Sequence, residues 1–216
     1  MPPTEAAREA ASVVFRPHRR VCERIAYGDL VTEDELIAAA RDRLPDDAPP
    51  PATADELADA EQRLGFALPP LLRRMYTEVA NGAWGPAYGA NGLIGGARAD
   101  LESGAVAWYR LMHDSGPDPE EPAWPGWPEG LLAVCHWGCA IWSCVDCHSQ
   151  AGRVVRFDPN DYHGAEGESW SGAWTEERPT LADFLTDWLQ DRLPFTPDSP
   201  QPACPTPAGF TASWRI

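Results

Sequence analysis

The chain predicts an α+β fold in which helices pack against a mainly antiparallel sheet. Three observations carry this expectation. Two capped helices stand in tandem over residues 53–82, short β-favouring runs lie between 131 and 157, and an amphipathic helix follows Thr180. Helices grouped before and after a run of strands, rather than alternating with them, belong to this class.

Residues 1–44 read as helical. Thr32 and Glu35 make a capping-box pattern, and Leu36, Ala39, Ala40 and Leu44 follow on one helical face. Pro45 to Pro51 reads Pro-Asp-Asp-Ala-Pro-Pro-Pro. It cannot continue a helix, because proline lacks the amide donor and fixes φ. Residues 1–52 are therefore expected to be a helical extension with a proline-rich linker.

Thr53 with Glu56 repeats the cap and opens a second helix. Leu57, Ala60, Glu61 and Leu64 share its face, and Gly65 supplies a C-terminal stop. Glu61, between Leu57 and Leu64, is expected to anchor a neighbouring backbone or pair an arginine. Pro69 and Pro70 suit the first turn of the next helix, where a missing N–H costs nothing. Leu71, Leu72, Met75, Tyr76 and Val79 form its buried stripe. Asn81-Gly82 ends it with two residues that tolerate left-handed backbone.

Short strands and glycine turns are expected around Gly92–Gly96, and helical spacing returns over Leu101–His113. An acidic, proline-rich loop runs from Asp114 to Pro128 and contains Trp124 and Trp127. Leu131–Val134, Ala140–Val145 and Arg153–Phe157 are β-favouring, the last two joined as a hairpin at Gly152. Leu181, Phe184, Leu185, Trp188 and Leu189 give the closing helix its apolar face. Six prolines fall between Pro194 and Pro207. Residues 194–216 are thus expected to form a flexible or extended tail, leaving 53–193 as the domain.

The formal charge is −16, and all 17 basic residues are arginine. So acidic a chain repels nucleic acid and anionic membrane surfaces. Residues 111–216 hold 16 Asp/Glu against 5 Arg, whereas the first 110 hold 17 against 12. That concentration serves solubility, or steers the chain towards a basic protein partner. The start, Met1-Pro2-Pro3-Thr4-Glu5, lacks the basic and apolar regions of a secretory signal. No stretch approaches eighteen uninterrupted apolar residues, so no membrane span is expected. A cytoplasmic protein with six reduced cysteines is the corresponding expectation.

Residues 54–85 resemble the opening of SUKH (Smi/Knr-like) domains, the superfamily of bacterial toxin-immunity proteins and fungal cell-wall regulators. The residues that carry the resemblance are Glu61, Leu64-Gly65, Leu68-Pro69, the apolar helix Leu71 to Val79, and Asn81-Gly82. Further along, Leu131 to Val134, Gly138, the run to Val145, Gly152, Val154, Asp158, and Phe184 with Leu185 are similar too. The similarity covers about residues 53–192. It implies a non-catalytic, cofactor-free binding fold whose bacterial relatives sequester a toxin of their own cell. An acidic inhibitor would suit a basic toxin by long-range attraction. The fungal relatives act as signalling scaffolds, so an intracellular regulatory module is the alternative.

Bond-making chemistry has a few candidate places. Cys135, Cys139, Cys144, Cys147 and His148 lie at spacings that zinc ligands use. If Cys139 to Val145 is one strand, however, Cys139 and Cys144 face opposite ways and cannot share a metal. The other reading is small buried apolar thiols. Asp158, Asn160, Asp161, His163, Glu166 and Glu168 form an acidic loop that departs from the calcium-loop template at Tyr162 and His163. No nucleophile elbow, phosphate loop or dinucleotide fingerprint is present. For contact with a protein partner, Trp124 and Trp127 are the best candidates, with Asp114, Asp118, Glu120 and Glu121 as an acidic rim. The competing reading folds both rings back onto the core.

Overall fold

A computed structural model describes residues 32–97, 104–116, 124–164 and 169–193. The helical reading of residues 1–31 and the expected tail, 194–216, lie outside the described residues.

Helix α1 spans Glu33–Asp42, and Thr32 and Glu35 close the capping box, each side chain accepting from the other's backbone amide. Leu36, Ile37 and Ala40 are buried in the same core as the rest of the domain. Sequence placed this helix in the extension, because the proline run after it looked like a boundary. Arginines fasten it in place. Arg43 pairs with Asp191 and lies over the Trp188 ring, 5.4 Å from its centroid. Arg74 reaches both Glu33 and Asp34.

Helix α2, Ala54–Leu64, carries the second capping box and ends on Gly65 in the left-handed region (φ 85°). Helix α3 runs Pro70–Arg74 and widens into a π-helical turn over Met75–Val79. Its expected stripe, Leu71 to Val79, is buried. Glu61 acts as an anchor in both expected ways: its Oε1 accepts the Leu68 amide at 2.8 Å and lies 3.4 Å from Arg73 Nε. Glu61→Ala is expected to cost about 1–3 kcal/mol through the orphaned Leu68 amide. Glu61→Gln, which keeps the acceptor, should cost less. Equal urea midpoints for the two variants would remove the role.

Asn81 works differently from the expectation. It is Gly82 that takes the left-handed backbone (φ 95°), and Asn81 does not. The Asn81 side chain instead organises the loop beyond: Oδ1 accepts the Leu93 amide at 2.9 Å, and Nδ2 donates to Ile94 O at 3.4 Å. Its backbone oxygen accepts the Ala97 amide. A Cβ on Gly96 would stand 2.2 Å from that oxygen, which is why glycine occupies the position. The strands expected around Gly92 are therefore replaced by a loop wrapped on Asn81. Its only ladder contact among the described residues is the Ala90–Cys135 bridge.

Helix α4 covers Gly104–Asp114. Strands β1 (Leu131–Gly138), β2 (Ile141–Asp146), β3 (Val154–Phe157) and β4 (Trp174–Arg178) form an antiparallel meander in that order, and α5 spans Leu181–Leu189. Sequence missed β4, because Trp-Thr-Glu-Glu-Arg hides its strand character under three charges.

Residues paired directly across an antiparallel ladder project to the same side. Leu132, Val145 and Val154 share one face, which meets the helices: Val145, Pro69 and Leu181 converge on the Gly152 turn. His136, Trp142, Phe157 and Trp174 share the other face, and it is a layer of rings.

Candidate partner-binding surface

The ring layer fixes where the two candidate tryptophans lie. Trp127 is 4% exposed, its Nε1 donates to Leu131 O at 2.7 Å, and it packs edge-on against Trp108, Phe157 and Trp174. Trp124 is half-buried and meets Trp170 at 4.8 Å and Phe157 at 6.1 Å. The structure thus seats Trp127 in the core and leaves part of Trp124 facing outward. Asp114 ends α4 and pairs with Arg110 at 2.9 Å. Asp118, Glu120 and Glu121 lie outside the described residues.

Sequence reasoning missed the rings that complete this layer. Tyr162 stacks on Trp170 at 4.2 Å, and both come from short loop segments with no periodicity. Their aromatic character was the sole available signal.

The cysteines separate in space. Cys139 is not on a strand: it forms a two-residue turn with Ala140 between β1 and β2, exposed, with φ 50° and 61°. Both residues take the left-handed conformations that a tight primed hairpin requires, although neither is glycine or asparagine. Cys135 and Cys144 are buried in the sheet, and burial pushes both thiols well above their ordinary range. Burial pushes Cys147 up to about 12. His148 packs against Gly130 and the edge of Phe66. Among the described residues, no three His, Cys, Asp or Glu side chains converge as a metal site would need. Thiols held protonated at neutral pH are also poor nucleophiles.

In the acidic loop, the Asp158 carboxylate accepts from the Asn160 amide and its Nδ2 at 3.0 and 2.9 Å. The same Nδ2 reaches Cys139 O at 3.2 Å, which ties this loop to the hairpin tip. Glu166 and Glu168 lie outside the described residues.

A polar network that sequence did not suggest runs across the sheet. Trp137 Nε1 donates to Ser143 Oγ at 2.7 Å, and Ser143 donates to Glu177 at 2.6 Å. Arg156 completes it, bonded to Glu177 at 3.0 Å with its guanidinium 5.2 Å over the Trp137 ring. Elsewhere, every described arginine is in an ion pair, as Arg41, Arg63, Arg153, Arg178 and Arg192 illustrate. Carboxylates remain in excess: Asp46, Asp47, Asp161 and Glu176 have no ion pair among the described residues.

A groove of about 600 Å³ lies between α2 and α4, lined by Leu93, Ile94 and Val106 with Arg63 and Arg110 at its rim. Its lining contains no nucleophile, imidazole or carboxylate. Among the described residues, no helix is long and apolar enough to cross a membrane. Residues 51–191 match the family model described as the SMI1/KNR4 family (SUKH-1). No curated protein matches the chain.

Proposed function

The chain belongs to the SMI1/KNR4 family (SUKH-1), and from that premise we propose that it is a non-catalytic, cytoplasmic protein-binding module that neutralises a cognate bacterial toxin by binding it. The observation that carries this reading is the arrangement of charge. With each described arginine engaged internally, the field that a partner meets comes from carboxylates, which favours a basic protein target and a fast, steered association. The contact surface in this reading includes Trp124, which packs on Trp170 and Phe157, together with Asp114, Asp118, Glu120 and Glu121.

The test is co-expression with a toxin encoded beside the gene. Protection should accompany a stable complex, and replacing Trp124 together with the four acids should weaken capture by at least about tenfold. Protection without any complex would end the binding reading. A complex without protection would favour an intracellular scaffold, the other role the family supports.

A further inference from the structure

The surface proposed above is drawn from residues 114–129 and leaves three features around the β1–β2 hairpin tip unexplained. The first is strain. Five non-glycine residues among those described have positive φ, and four of them, Ala83, Ala87, Cys139 and Ala140, lie on the β1–β2 hairpin tip or on the loop beside it. That loop is joined to β1 by hydrogen bonds from Tyr88 N to His136 O and from Asn91 N to Val134 O. A left-handed alanine or cysteine costs about 1 kcal/mol or more unless the surrounding structure enforces it, and such positions gather where a protein acts.

The second feature is an exposed ring. Tyr88 is 56% exposed, and its ring stacks on His136 at 5.6 Å beside Gly138. His136 in turn lies 4.3 Å from Trp142, so Tyr88 is the outermost ring of a stack rooted in the core. A ring held so firmly loses little entropy on contact, which is the property of an interface anchor.

The third is charge. Asp161 is exposed without an ion pair among the described residues, and Asn160 ties its short helix to the tip through Cys139 O. Glu176 is also exposed and unpaired, and it projects with Trp174 from the ring-bearing face of β4. Asp46 and Asp47 carry as much charge after α1, but Tyr88 and Leu111 are the only large apolar side chains well exposed among the described residues, and neither lies there.

We propose that the hairpin-tip end of the sheet and the adjoining ring-bearing face of β4, with Tyr88, Cys139, Ala140, Asp161, Trp124 and Glu176, form a docking surface for an arginine-bearing segment of a partner protein. Guanidinium groups suit it because they stack on rings and pair with carboxylates at once. This rests on the protein-binding reading and goes further by naming the place and the cation.

The test titrates the ¹⁵N-labelled full chain with a twelve-residue peptide alternating Arg and Gly, with a Glu/Gly peptide as control. Backbone and indole shifts should move at Tyr88, Gly138–Ala140, Asp161, Trp124 and Glu176, and they should shrink at high salt. Asp161→Arg with Glu176→Arg should weaken the apparent Kd about tenfold. The thermal midpoint should hold, since both side chains are exposed. Shifts centred on Asp46 and Asp47, equal response to the Glu/Gly peptide, or no response would each overturn the proposal. Toxin protection is a separate readout: its loss with tip binding intact sinks the immunity role and leaves this surface standing.

Discussion

Glu177→Ala is expected to destabilise the domain by about 3–5 kcal/mol, read as a fall in the urea midpoint with unchanged slope. The Glu177 side chain is 4% exposed and that of Arg156 12%. Removing the carboxylate breaks a nearly buried ion pair with Arg156, and leaves the Ser143 hydroxyl, 1% exposed, without its acceptor. A marginal domain of about 5–15 kcal/mol total stability feels such a loss strongly. The pair need not add net stability by itself, because desolvating two charges offsets their attraction. The double replacement Glu177→Met with Arg156→Met should therefore recover much of the loss. If Glu177→Ala lowers stability by less than about 1 kcal/mol, the network is not coupled as described. Glu177 also has a second consequence. On β4, which pairs only with β3 among the described residues, an inward charge and a register shift blunt the edge against pairing with other chains. The Glu177→Met/Arg156→Met protein should accordingly aggregate more readily on warming.

The contrast between what the sequence revealed and what it hid has a physical pattern. Elements specified by their own neighbours were legible: both capping boxes, the Gly65 stop, the Leu71–Val79 stripe and the Gly152 hairpin depend on contacts within a few residues. Residues that act across the chain were not. Asn81 looked like a helix stop, yet it holds a loop twelve residues on, and nothing near Glu177 in sequence pointed to its bond with Ser143. Likewise, the β-favouring run from Ala140 read as strand, whereas the register of β1 and β2 leaves Ala140, with Cys139, to the two-residue turn. For the candidate surface, composition showed that tryptophans and acids were abundant. It could not show which rings support and which are presented, because Trp124 and Trp127 sit only three residues apart in one loop.

That distinction gives the other large expected effect. Trp127→Ala should cost about 3–5 kcal/mol, since it empties a buried position among Trp108, Phe157 and Trp174 and orphans the Leu131 carbonyl. Trp124→Ala, at a half-buried position, should cost roughly 1–2 kcal/mol, because part of the ring already faces solvent. If Trp124 serves as an anchor, its removal should weaken partner capture far more than it weakens the fold. Trp127 should show the reverse, with capture falling only in step with the folded fraction. Phe at position 127 sharpens the comparison: it refills much of the volume but cannot donate to Leu131, so it should restore most stability and, with it, most binding. Urea unfolding beside complex formation at a temperature where each variant stays folded measures both quantities. A Trp127→Phe protein that is stable yet fails to capture the partner would mean that the indole reaches the partner directly, and that the ring layer opens when the complex forms.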